Sequence, residues 1–172
     1  IGSNDATVPA FSALSAATHQ KSEQLVGVLV NGAMRDLSPE SFQRLNEGLS
    51  KLAFTQDEIR DVRQLLFEGG TNAICDEAYT KVTTNLPQII AEIRTLNPDA
   101  KILLLGYTNP VPLLLEWSGL FNRLNRFARN LAQQSENVAF VSISLTPSSG
   151  TDGHPTVSGH RYIANRIMKA LK

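Results

Sequence analysis

The sequence predicts an α/β protein with a parallel sheet covered by helices, and three observations point there. Two short apolar runs, 102–107 and 138–143, have the composition of strands buried on both faces. Between them, and again after the second, apolar residues recur every three or four positions, as on one face of a helix. The resulting order of strand, helix, strand, helix suits parallel strands, which need a long crossover and cannot be joined by a tight hairpin.

Helices dominate the first hundred residues. Ser38-Pro39-Glu40 has the form of an N-cap followed by proline at the first helical position, and Phe42, Leu45, Leu49 and Leu52 then recur at helical spacing. A second helix is expected over 55–67, with Ile59, Val62, Leu65 and Leu66 on one face and Gly69-Gly70 as its stop. The run 24–32 suits either a buried strand or a buried helix, and its helical neighbours favour helix. A further helix over 86–96, with Pro87 in its first turn, leads into a turn at Asn97-Pro98-Asp99. Leu120, Phe121, Leu124, Phe127, Ala128 and Leu131 mark the helix between the strands. The last helix, 157–171, is expected to bury Ile163, Ala164, Ile167, Met168 and Leu171.

Bulk properties exclude several classes of function. With 172 residues, 42% of them hydrophobic, the chain is long enough to form a single domain over 1–172 with a sizeable core. Sixteen basic and sixteen acidic side chains cancel, which leaves no electrostatic footprint for nucleic acid. No apolar run approaches the roughly 20 residues that cross a bilayer, so no membrane span is expected. Cys75 is the one cysteine, which rules out an internal disulfide and a multi-cysteine metal site. No glycine-rich loop joins a strand to a helix, which argues against a nucleotide-binding domain. Neither metal nor cofactor is expected.

The strongest chemical signal is Thr151-Asp152-Gly153-His154-Pro155, ahead of Gly159-His160 and the terminal helix. A histidine there stands at the mouth of a parallel sheet, where α/β proteins bind ligands. Acyl transfer through a serine needs a base that takes the hydroxyl proton and returns it to the leaving group, and imidazole titrates in a suitable range. A carboxylate is needed to orient that imidazole, and Asp152 is near enough in sequence if the loop curls. At the other end, Gly2-Ser3-Asn4-Asp5 combines a glycine that allows a sharp turn with an asparagine amide that can donate to a developing oxyanion.

These two blocks, with the stretch 86–110 (LPQIIAEIRTLNPDAKILLLGYTNP), resemble the SGNH, or GDSL, hydrolases, in their lipase and acylhydrolase branch. The resemblance implies a flavodoxin-like three-layer α/β/α fold and a serine esterase or lipase acting on small-molecule esters, of lipids or acylated sugars. It implies His154 as general base, Asp152 as its acid, and Asn4 with Gly2 in the oxyanion site. His160 is then a structural residue of the last helix. Residues 7–81 match nothing in the family pattern and are expected to form a helical lid or insertion that shapes the acyl pocket, the alternative for its apolar stripes being ordinary core packing. The residues leave the compartment open, and the resemblance alone favours a secreted or cell-envelope location.

Two departures qualify the match. The family's Gly-Asp-Ser block, which holds the nucleophile, is not found, and Ser118, Ser148 and Ser149 read as loop serines. Family block order places the missing serine before Gly2, so an N-terminal companion segment of the same enzyme is the expected partner. The alternative is a catalytically inactive binding or regulatory module on the same fold. The second departure is spacing: Thr151 occupies the usual acid position, and Asp152 stands one residue closer to His154. A dyad in which a backbone carbonyl orients the imidazole is the alternative to Asp152.

Overall fold

The structure, a computed structural model, describes residues 4–19, 21, 23–25, 27–28, 38–109, 115–147 and 154–172, with side chains at all of these except 4–7, 11, 66–67 and 115–116. It is a mixed α/β arrangement, mostly helical, with a small two-stranded parallel sheet. In chain order come α1 (Asn4–Ala17), α2 (Pro39–Ser50), α3 (Gln56–Phe67), α4 (Asn72–Leu96), β1 (Ile102–Leu105), α5 (Leu115–Gln133), β2 (Val138–Val141) and α6 (Val157–Leu171). Residues 23–25 and 27–28 are also helical, in keeping with helix rather than strand in that run. The rest of 24–32 lies outside the described residues.

The start signal of α2 acts as the sequence suggests, and α3 begins on a cap that the sequence reading did not single out. Ser38 caps α2 through its Oγ, which accepts from the Ser41 N–H at 3.3 Å, and Pro39 occupies the first turn. Thr55 and Glu58 form a reciprocal capping box at α3: Thr55 Oγ1 accepts from Glu58 N–H at 3.2 Å, and Glu58 Oε2 accepts from Thr55 N–H at 2.8 Å. Past α3, Gly69 takes a φ of +84°, a conformation that glycine adopts without strain.

The apolar face expected on α3 is covered in part, with Val62 and Leu65 packed against the core. Ile59 is 45% exposed, whereas the adjacent Glu58 is only 3% exposed. Glu58 goes inward because its charge is met there. Lys21 Nζ lies 2.9 Å from Oε2 and His19 Nδ1 3.5 Å from Oε1, in addition to the Thr55 amide. The Thr55 backbone N–H, followed by Lys21, holds the Glu58 carboxyl at about 2, below its ordinary 4.5. A depressed carboxyl stabilises the fold above the unfolded-state value and loses that contribution as pH falls through the folded-state value. Glu58→Gln is therefore expected to lower the melting temperature by a constant amount above about pH 5, a gap that closes between 4.5 and 2. Thermal melts of both proteins across that range test it; a gap independent of pH would remove Glu58 from the acid response.

Helix α4 corrects another expectation. Instead of a helix starting near Leu86 with Pro87 in its first turn, one helix of 25 residues runs from Asn72 and carries Pro87 in its interior. An interior proline costs about 3 kcal/mol, through the lost backbone donor and the clash with the preceding turn. Burial offsets it: Cys75, Ala78, Val82 and Ile90 bring one face of α4 into the core along its whole length. The boundary at residue 81 expected between insertion and sheet region thus falls inside a continuous helix.

Two core clusters lie along α4 and α5, which pack on each other. In the helical cluster Leu14 of α1 and Leu25 meet Cys75, Ala78 and Val82 of α4 and Trp117, Leu120, Phe121 and Leu124 of α5. In the second, Ile90 of α4 and Ala128 and Ala132 of α5 cover Leu104 of β1 and Val138 of β2. The strands pair in parallel with Ile102 opposite Val138 and Leu104 opposite Phe140. Those four share the pleat face that α4 and α5 cover, because paired residues project to the same side and alternate along each strand. Asn97-Pro98-Asp99 forms the expected turn, in which the Asp99 N–H donates to Asn97 Oδ1 at 3.2 Å.

Both strands are shorter than expected, and β1 is not buried on both faces: Leu105 is 39% exposed. The last helix spans the expected residues, but the burial expected of it does not follow. Gly159 is its buried residue, Ile163 and Ile167 are half-buried, and Ala164, Met168 and Leu171 are exposed. Among the described residues its main packing is against β2, which covers part of the apolar stripe. No helix here is long and apolar enough to cross a membrane, among the described residues.

Candidate functional site

The unit β1-α5-β2-α6 decides where the histidine block falls. Lys101, just before β1, donates from Nζ to the Leu171 carbonyl at 3.2 Å, so the end of α6 lies beside the start of the sheet. At its other end the Thr156 N–H donates to the Pro147 carbonyl at 3.0 Å, in the loop that follows β2. Helix α6 therefore runs antiparallel to the strands, and its N-terminus stands at their carboxyl edge. His154 precedes the N-cap of that helix by two residues and is exposed. This is the edge at which open α/β sheets present ligands and reactive groups.

The N-terminus of α6 is fastened to the β2 loop by close contacts. Thr156 Oγ1 accepts from the Gly159 N–H at 3.1 Å and reaches the Pro147 carbonyl at 3.3 Å. Thr146, itself buried, donates from Oγ1 to the Ile143 carbonyl at 2.6 Å, and Arg166 Nε donates to the Ser142 carbonyl at 3.2 Å. Gly159 is where helix and loop approach most closely. A Cβ there would collide with the Pro147 carbonyl oxygen and lie 3.1 Å from Pro155 Cβ and 3.2 Å from Thr146 Cγ2. Gly159→Ala is accordingly expected to destabilise the fold by about 1 to 3 kcal/mol through overpacking, although alanine is the better helix former. Chemical denaturation measures the change; an alanine variant as stable as the parent would show that the loop yields freely.

The carboxyl end of β1 is fixed by Asn125, a residue of α5 that sequence reasoning did not single out. Its Oδ1 accepts from the Tyr107 N–H at 2.7 Å and its Nδ2 donates to the Tyr107 carbonyl at 3.0 Å. Gly106 fits beneath it, where a Cβ would lie 2.8 Å from Asn125 Oδ1 and 3.0 Å from Phe140 Cζ. Beyond Tyr107, Asn109 Nδ2 donates to Ser118 Oγ at 2.6 Å. Ser118 belongs to the first turn of α5 and not to a loop, a correction to the context that Trp117-Ser118-Gly119 suggests. An amide donor cannot take up the proton that a nucleophilic serine must shed, so this contact does not activate Ser118. The Gly-Tyr strand exit was the available signal for this corner; the helix asparagine that clamps it lies 18 residues away and carries none.

The other candidates are placed as follows. Asn4 is the first residue of α1, whose packing is against α3 and α4, so it belongs to a different group of helices from α6. Its side chain, Gly2, Asp152, Ser148 and Ser149 lie outside the described residues. His160 is exposed in the first turns of α6, where its N–H donates to the Thr156 carbonyl at 2.8 Å in an ordinary helical bond. Among the described residues no group of three or more His, Cys, Asp or Glu side chains could hold a metal ion. No family model, no curated protein and no solved structure matches the chain.

Proposed function

We propose that this chain is the histidine-bearing part of a serine ester hydrolase of the SGNH type, with a three-layer α/β/α arrangement around its parallel strands. The observation that carries the proposal is the placement of His154, exposed on the loop between β2 and the N-terminus of α6, at the carboxyl edge of the strands. In the reaction His154 takes the proton of a serine hydroxyl as that oxygen attacks the ester carbonyl, then returns it to the departing alcohol. Asp152 holds the imidazole tautomer, and Asn4 with Gly2 donates to the tetrahedral oxyanion. A second cycle with water in place of the alcohol releases the carboxylic acid.

The serine belongs to a Gly-Asp-Ser block outside these 172 residues. The substrate is a carboxylic ester of a lipid or an acylated sugar. Turnover of a short-chain nitrophenyl ester by the native assembly, combined with labelling by a fluorophosphonate, tests the proposal. The label is expected on a serine of a companion segment and to depend on His154. Labelling of Ser118 or another serine of this chain would overturn it, and an assembly that neither hydrolyses nor labels would be a binding module without catalysis.

A further inference from the structure

The charge of the chain is balanced only in sum. Thirteen acidic and eight basic side chains precede Lys101, whereas three acidic and eight basic ones follow from Lys101 onward. A division of charge between the halves of a chain points toward nucleic acid or a membrane as partner. Half of the later cations, Arg161, Arg166, Lys169 and Lys172, stand on α6 or at its C-cap, and no Asp or Glu stands among them.

Helical geometry sorts the outer side of α6 into two strips. Val157, Ala164, Met168 and Leu171 are spaced by seven, four and three residues and so share one face. They lie opposite Gly159, Tyr162 and Arg166, the side that is buried or half-buried. All four are exposed, Val157 at 78%, Met168 at 58% and Leu171 at 48%. Arg161 and Lys172 border this apolar strip directly, with Lys169 beyond them. These three cations are exposed, and among the described residues none forms an ion pair. Beside the N-terminus of the helix, Leu145 is 79% exposed in the loop against which Gly159 is packed.

We propose that this side of α6 rests on an anionic lipid surface. The helix lies parallel to the surface, with Val157, Met168 and Leu171 at the boundary of the acyl chains and Arg161, Lys169 and Lys172 at the level of the phosphates. An apolar strip bordered by cations is the form of an interfacial helix. The long cations lay their stems along that strip and keep their heads in the polar layer. Nucleic acid would meet the cations but leave the exposed valine, methionine and leucine against charged phosphates. A protein partner is anchored by side chains that fill pockets, which the outer side of a helix does not form. A bilayer needs no pocket, because it moulds itself to the side chains. Lipid contact of this kind requires no ester hydrolysis; where both hold, it brings the His154 edge of the sheet to the lipid.

Co-sedimentation of the native assembly with vesicles tests the proposal, using phosphatidylcholine alone or with one third phosphatidylserine. Binding is expected to the mixed vesicles, at least tenfold weaker to phosphatidylcholine, and at least tenfold weaker to both in about 1 M salt, where the screening length is about 3 Å. A cation near such a surface contributes about fivefold, so Arg161→Gln with Lys169→Gln should weaken binding roughly 20-fold. Met168→Asp should weaken it at least tenfold with the melting temperature unchanged. Lys81→Gln removes the same charge from an exposed position on α4 and should bind as the parent does. Equal binding to both vesicles, binding to neither, or indifference to the Arg161 and Lys169 pair and to Met168→Asp would overturn the proposal. Release of a companion segment or other protein by the α6 variants, without any vesicle binding, would assign this side to a protein and overturn it too. Turnover of a soluble nitrophenyl ester does not involve this surface and should be parental in the α6 variants, so lipid contact and hydrolysis fail separately.

Discussion

Alanine at position 154 is expected to slow hydrolysis of a short-chain nitrophenyl ester by the native assembly about a thousandfold or more, with the melting temperature within about 2 °C of the parent. The size of the effect follows from the two proton transfers assigned to one imidazole: without it the serine attacks as a neutral alcohol and the leaving group departs unprotonated. The small effect on stability follows from exposure. His154 is exposed ahead of the helix cap, so its truncation opens no cavity in either core cluster. His160→Ala is the control, in the first turn of α6 and also exposed, and should retain parental turnover. Equal losses in the two variants, or turnover that survives His154→Ala, would remove His154 from the chemistry.

Asn4 carries the second large effect. Loss of one donor to a tetrahedral oxyanion costs roughly 2.7 to 4 kcal/mol of barrier, so Asn4→Ala should lower the turnover number by about 100- to 1000-fold. Because Asn4 begins α1, a loss on alanine alone could also reflect a poorer helix start. Asn4→Asp separates the two. Aspartate has nearly the same shape and is favoured at a helix N-terminus, but it replaces the N–H donor with a second acceptor and adds negative charge beside the oxyanion. Stability at or above the parent with turnover as low as in the alanine variant marks the amide as the donor. Parental turnover in Asn4→Asp would reduce the residue to a helix start.

Much of the fold is legible in the amino acids, for local reasons. Ser38-Pro39 specifies a helix start through a bond that closes within four residues, and α2 begins there, while the apolar spacing over 55–67 marks α3. The span of α6 is equally readable from the apolar repeat over 157–171. What escaped is tertiary. Pro87 looks like a start signal, and only the packing of α4 against α5 shows why the helix continues through it. Glu58 is buried beside an exposed Ile59 because Lys21 and His19, far earlier in the chain, meet the carboxylate.

The candidate site divides in the same way. The position of His154 at the head of the last helix is legible because His154-Pro155 and the Gly159-His160 step lie together in the chain. The Gly159 contact with Pro147 and the Asn125 clamp were not, since each joins an element to a loop that periodicity treats as empty. Meanwhile the apolar stripe of α6 was read as buried along its length, because a repeat reports that a face is apolar but not how much neighbouring structure reaches it.

An asparagine side chain holds the same two functional groups as a peptide unit, and Asn125 presents both to Tyr107 as a neighbouring strand would. The backbone polar groups of Tyr107 are thus already engaged at the point where the ladder with β2 ends. A further strand could not add itself there without displacing that amide. The chain leaving β1 is thus held at this corner by a side chain in place of a neighbouring strand. Because that side chain is carried on α5, helix and strand terminus are coupled, and any opening of the 106–109 corner must rotate or unseat the helix as well.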